Sequence, residues 1–200
     1  MKITDVSKLR GPLGELHDQL LGENGEERLA ELKLWLKRVT SVLKRITTVQ
    51  LRGRKHFVAR VAFGEDNPAG IKFFLNEDFK NNFLDKVEKN IPATELSVDI
   101  LTKQSKDEVI RRELTSEREE TFLAYLYELV SHQPNGEDGP FPIDGKANIF
   151  YIRDAKDELW AVISGWYSCG RGWDVNACSV TSPDGWVVGY RVFSQVSPRS

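Results

Sequence analysis

The sequence predicts an α+β fold, with N-terminal helices and a small mixed βαβ region packed against a C-terminal four-stranded antiparallel β-meander. Three observations lead there. Leu29, Leu32, Leu36, Val39, Leu43 and Ile46 alternate spacings of three and four, which is one stripe of a helix. After residue 146 the chain breaks into short aromatic-rich segments separated by tight turns, as sequential antiparallel strands require. The 200 residues are 40% hydrophobic, enough to fold on a core alone, and the 2 cysteines exclude a disulfide framework.

The elements follow in chain order. Gly11, Pro12, Gly14, Gly22 and Gly25 bracket a short helical turn over residues 13–21. A long helix is expected over 26–46. Glu23, Glu26, Glu27 and Glu31 crowd its start, and Lys37, Arg38, Lys44 and Arg45 its end, as the helix dipole favours. A strand over 51–63 leads through a turn at 64–70 into a second strand, 71–75. Asn76 suits the cap of a helix carrying Phe79, Phe83 and Val87, stopped by Asn90 and Pro92. Another strand spans 94–102. Ser105-x-x-Glu108 and Ser116-x-x-Glu119 read as capping boxes of two consecutive helices, the second packing Phe122, Leu126, Leu129 and Val130. The breakers between Gln133 and Lys146 leave a long loop or linker. Four strands, 147–154, 159–169, 173–181 and 186–194, then form the meander. The expected organisation is 1–132 helical and mixed, 133–146 loop or linker, 147–194 meander and 195–200 flexible tail, in one unit sharing a core.

Charge is segregated. The formal sum is −2, yet the 28 residues from Lys37 to Gly64 hold eight basic groups and no acidic one. On a strand over 51–63, Arg52, Arg54, His56 and Arg60 share one face, with Lys55 on the other. Such a face can contact phosphate or nucleic acid through arginine's planar fork. The plainer reading is cross-strand pairing with Glu95 and Asp99, which face outward if Leu96, Val98 and Ile100 face the core.

The meander holds a second candidate surface. Alternation puts Phe150, Ile152, Trp160, Val162 and Trp166 on one face, and Ile149, Tyr151, Ala161, Ile163 and Tyr167 on the other. Covered faces are favoured, since the preceding helices carry apolar stripes that need a sheet. An exposed platform built from Tyr151, Trp166, Tyr167 and Trp173 would instead bind a base, a sugar or a peptide.

Signatures of known chemistry are missing: no Walker A loop, G-x-G-x-x-G, H-E-x-x-H, G-x-S-x-G or C-x-x-C. No cofactor is implied. The acids of 133–146 lack EF-hand spacing, and Cys169 and Cys178 lack supporting zinc-ligand spacing, so no metal is expected. A turn at 170–172 would set Cys169 opposite Trp173 and Cys178 opposite Ser164, too far apart for a disulfide. Cys169 beside Arg171, with His132 as base, is the weakest candidate.

Several strings are specific: Leu16-His17, Gly22-Glu23-Asn24-Gly25-Glu26, Asn135-Gly136-Glu137-Asp138-Gly139, Ala147-Asn148-Ile149-Phe150-Tyr151-Ile152-Arg153-Asp154, Leu159-Trp160-Ala161-Val162, Gly172-Trp173 and Gly189-Tyr190-Arg191-Val192-Phe193-Ser194. On these, and over most of its length, the chain resembles a family of uncharacterised proteins encoded by very small, host-dependent candidate-phylum bacteria. The resemblance implies a bacterial cytoplasmic protein and carries over no activity. Residues 1–20 lack a signal peptide's basic head and apolar run, and no stretch approaches the ~18 apolar residues of a membrane span. The expectation is a non-catalytic cytoplasmic protein that binds another protein. A nucleic-acid binder using the basic strand 52–60 is the alternative, and a hydrolase of unrecognised type the third.

Overall fold

The computed structural model describes residues 7–196, the side chains of 7–10, 12 and 37–39 excepted. The protein is α+β and divides into two compact units between Ser41 and Val42. The first unit is a helical hairpin of α1 (Ser7–Leu21) and α2 (Gly25–Thr40). Helix α1 begins before the expected 13–21. At the corner, the Gly25 N–H donates to the Gly22 carbonyl at 2.9 Å. A Cβ on Gly25 would lie 2.0 Å from the Leu20 carbonyl oxygen, so no other residue lets α2 start there.

The expected helix over 26–46 is cut short. It ends at Thr40, whose hydroxyl bonds back to the Leu36 carbonyl at 2.7 Å. The β-branched run Ile46-Thr47-Thr48-Val49 then continues as strand β1 (Leu43–Leu51). Lys44 and Arg45 therefore lie on a strand, and the dipole account does not apply to them. The strand expected over 51–63 also breaks. The chain leaves β1 at Leu51 and bends at Gly53, where a Cβ would meet the Ala93 nitrogen at 2.8 Å. It then forms β2 (Arg54–Val58) and the short helix α3 (Ala59–Ala62).

The next elements are β3 (Phe73–Leu75), α4 (Glu77–Phe83), β4 (Val87–Ile91) and β5 (Thr94–Leu101). Asn76 caps α4 as expected: its Oδ1 accepts from the Phe79 N–H at 2.8 Å. The helix ends at Phe83, and Val87 opens β4. Three helices follow instead of two: α5 (Asp107–Leu114), α6 (Ser116–Glu119) and α7 (Leu123–Ser131). Neither expected serine cap forms, because Lys106 and Thr115 precede α5 and α6 and Ser105 pairs with Trp186 in an isolated bridge.

The last strands are β6 (Asn148–Arg153), β7 (Leu159–Tyr167), β8 (Gly172–Ser179) and β9 (Arg191–Gln195). The main sheet has seven strands in the order β1-β5-β9-β6-β7-β8-β3, and β2 and β4 make a separate antiparallel ribbon. Only β6, β7 and β8 form a meander. The fourth strand is corrected: β9 crosses over and inserts between β5, antiparallel, and β6, parallel. The Ser105–Trp186 bridge holds the crossing segment near the start of α5, away from a pairing with β8. The register of the β7–β8 hairpin also differs, with Trp166 opposite Trp173 and Cys178 opposite Ala161. The two thiols are free, as expected.

Both faces of the sheet are covered. Phe150, Ile152 and Val162 belong to a core with Phe79, Phe83 and the apolar residues of α7, while Ile149, Tyr151 and Ala161 pack with Ile110 and Leu114 of α5. The alternation expected for β6 and β7 holds, and two helical layers fill the two sides. Segment 133–146 has no helix or strand but enters the first core. Phe141 is buried, its N–H donates to Gln133 Oε1 at 2.9 Å, and Trp173 Nε1 donates to the Gln133 carbonyl at 2.8 Å. Among the described residues, no helix is long and apolar enough to cross a membrane.

Candidate functional site

The structure disperses the basic stretch. Arg52 lies between β1 and β2, Arg54, Lys55 and His56 on β2, and Arg60 on α3, so no single strand face carries all of them. Arg54 is half-buried, with Nη2 3.6 Å from Glu128 Oε2 and its guanidinium 5.8 Å from the Tyr127 ring centre. His56 stands opposite Lys89 across the ribbon. Arg60 bonds Asp85 at the surface. The expected partners pair elsewhere too. Asp99 is buried, accepts from Ser97 Oγ at 2.6 Å and faces Arg45 at 3.7 Å, whereas Glu95 accepts from Thr48.

The aromatic platform is corrected as well. Tyr151 and Trp173 are fully buried, and Trp166 is half-buried with its ring edge-on to Trp173 at 5.5 Å. Tyr167 alone of the four is exposed, edge-on to Phe74. Tyr151 and Trp173 are core and Trp166 packs against it, whereas Tyr167 is not core.

A buried polar cluster does form. Asp107, at the start of α5, accepts from Tyr151 Oη and Trp186 Nε1 through the same oxygen, both at 2.7 Å. Burial pushes the Asp107 carboxyl above its ordinary range, and burial with the adjacent carboxylate pushes the Tyr151 hydroxyl up. Cys178 borders the same place, beside a 160 Å³ hollow, and burial together with neighbouring acids raises its thiol. A raised thiol is a poor nucleophile. The cluster fastens α5, β6 and the 186 segment together, and sequence reading missed it because its members lie 44 and 79 residues apart. Among the described residues, no three His, Cys, Asp or Glu side chains are grouped to hold a metal ion.

The helical hairpin differs from everything above. Among its described side chains no apolar residue is buried, and only Leu16, Leu20 and Leu32 reach half-burial. Leu29, Trp35 and Leu36 of α2 are exposed, Trp35 at 56%. At 100° per residue, Leu29, Leu32, Trp35 and Leu36 span one arc of about 120°. Leu13 and Leu21 of α1 are also exposed. The arc is thus an apolar surface left facing water. Against this geometry, no family model, curated protein or solved structure matches the chain.

Proposed function

We propose that this is a non-catalytic, cytoplasmic bacterial interaction protein whose partner is another protein, and that α1–α2 is the contacting element. One observation carries the reading: the apolar arc of Leu29, Leu32, Trp35 and Leu36 has no buried member. Ordering the hairpin costs ~1–2 kcal/mol per residue in backbone entropy, which isolated helices of this length offset only marginally. Burying the arc on a partner supplies about 25 cal/mol for each Å² of apolar surface removed from water. The cytoplasmic and bacterial parts rest on the resemblance given by the 147–154 string and its companions.

A photoreactive amino acid at position 35 tests this in a lysate of the source organism. The expected product is a crosslink to a different protein, lost in the Leu29→Asp/Leu36→Asp variant. A crosslink only to this chain overturns the proposal. So does retention on RNA or DNA that weakens steeply with salt and is reduced by Arg54→Glu and Arg60→Glu, which is the nucleic-acid alternative.

A further inference from the structure

The short strand β3 ends the seven-stranded sheet, and its outer edge is open. On its inner side, the Trp173 N–H donates to the Lys72 carbonyl at 2.9 Å and the Asn76 N–H to the Val175 carbonyl at 3.4 Å. In a parallel ladder alternate residues serve one neighbour, so the backbone of Phe74 also faces β8 and the N–H and C=O groups of Phe73 and Leu75 face away. Those four groups have no backbone partner among the described residues.

A trough runs along this edge. One hollow of 530 Å³ lies between Phe63-Gly64-Glu65 and residues 73–76, and a second of 380 Å³ continues between the same wall and residues 70–73. The rings of Phe63 and Phe73, 4.9 Å apart at their centres, line both. Six residue steps of extended chain span about 20 Å. The length and the open backbone groups suit an added strand.

Charge selects what that strand carries. Lys80 Nζ is held by Glu77 at 2.7 Å, and Lys72 Nζ by the Gly170 carbonyl at 3.2 Å while it sits over the Phe74 ring. Asp174 of β8 lines the larger hollow half-buried and, among the described residues, has no hydrogen bond or ion pair, as is the case for Glu65 opposite. Burial raises the Asp174 carboxyl. An anionic ligand would meet the two acids as like charges.

We propose that the trough between Phe63-Gly64-Glu65 and β3 binds an extended segment of a partner protein as an added strand, with a lysine or arginine of that segment held by Asp174. The site is separate from the α1–α2 surface and stands or falls without it.

Fluorescein-labelled acetyl-Val-Lys-Val-Lys-Val-Lys-Val-amide, titrated against the full chain by anisotropy, tests the proposal. Saturable binding is expected, weakened about 10-fold or more when glutamate replaces lysine. N-methylation of alternate amides should weaken binding about 10-fold for one set and leave the other set unaffected, because only one edge of the peptide meets β3. Asp174→Asn should weaken the lysine peptide about 10-fold without lowering the thermal midpoint. Equal binding of the lysine and glutamate peptides, indifference to both methylation patterns, an unchanged affinity in Asp174→Asn, or no saturation by about 1 mM each overturns it.

Discussion

The helical hairpin before residue 42 and the sheet unit after it dispose of their apolar residues in opposite ways. In the sheet unit Phe150, Phe193, Trp173 and Phe141 interlock at ring separations from 4.5 to 5.8 Å, and each is essentially inaccessible to water. In the hairpin Leu13, Leu21, Leu29, Leu34, Trp35 and Leu36 are exposed. The other exposed large hydrophobics, such as Ile46, Val61, Ile143 and Val188, are spread over the much longer second unit. Apart from the adjacent Val187 and Val188 they are scattered singly, whereas the hairpin concentrates them. One unit is stabilised from within and the other exposes the same chemistry outward, and the proposed association at the hairpin rests on that contrast.

Paired tryptophan variants break or sharpen that contrast most strongly. Trp173→Ala removes a fully buried ring packed on Phe141 and Trp166 and frees the Gln133 carbonyl, so it should cost about 3–5 kcal/mol in urea unfolding. Trp35→Ala should change stability by no more than about 0.5 kcal/mol while abolishing partner capture. Comparable losses from the two would erase the distinction.

The acids at helix starts give a smaller test. Glu88 reaches the first turn of α7 from the ribbon, accepting from the Leu123 and Ala124 N–H groups at 2.9 Å each. Residues 123–130 are all buried, so those N–H groups have no water to turn to. Glu88→Ala should destabilise by about 1–3 kcal/mol. Glu27 lies in the exposed first turn of α2, where Glu27→Ala should cost at most about 0.3–1 kcal/mol, diminishing with salt. Denaturation at low and high ionic strength separates the two.

The parts of this fold legible in the sequence are those in which pattern and neighbours agree. Alternation in β6 and β7 survives with both faces buried, because side chains still take opposite sides. Asn76 is legible because a cap is local. The α2–β1 boundary is not, since Leu43 and Ile46 prolong the three-and-four spacing of α2 while already on a strand; the β-branched run that follows is the signal that could have found it. The break in 51–63 depends on Gly53 passing close to Ala93, and the placement of β9 on a bridge to Ser105. Both are long-range contacts with no local trace. The candidate surfaces divide similarly. The apolar positions of α2 are visible as a stripe, but their exposure is not, and the β3 trough is built largely from backbone groups, which no motif records.

The smallest expected effect is a pair of opposite pH dependences. Burial raises Asp107 above its ordinary 3.8, so its contribution to stability is complete below that value and lost as pH rises through the higher folded value. Glu137, on the surface of the 133–146 loop, is lowered by bonds from the Asn135 side chain and backbone N–H, which favour its charged form. Its contribution is present above the ordinary 4.5 and lost as pH falls through the depressed value. Asp107→Asn keeps an oxygen for Tyr151 and Trp186 while abolishing titration, and Glu137→Gln abolishes titration while keeping one of the two oxygens that accept from Asn135. Urea midpoints from about pH 3 to about pH 8 should show wild type losing ground to Asp107→Asn as pH rises and gaining on Glu137→Gln. The sign of each slope follows from burial in one case and from hydrogen bonding in water in the other, so slopes of equal sign would mean that Asp107 is not desolvated beneath Trp186.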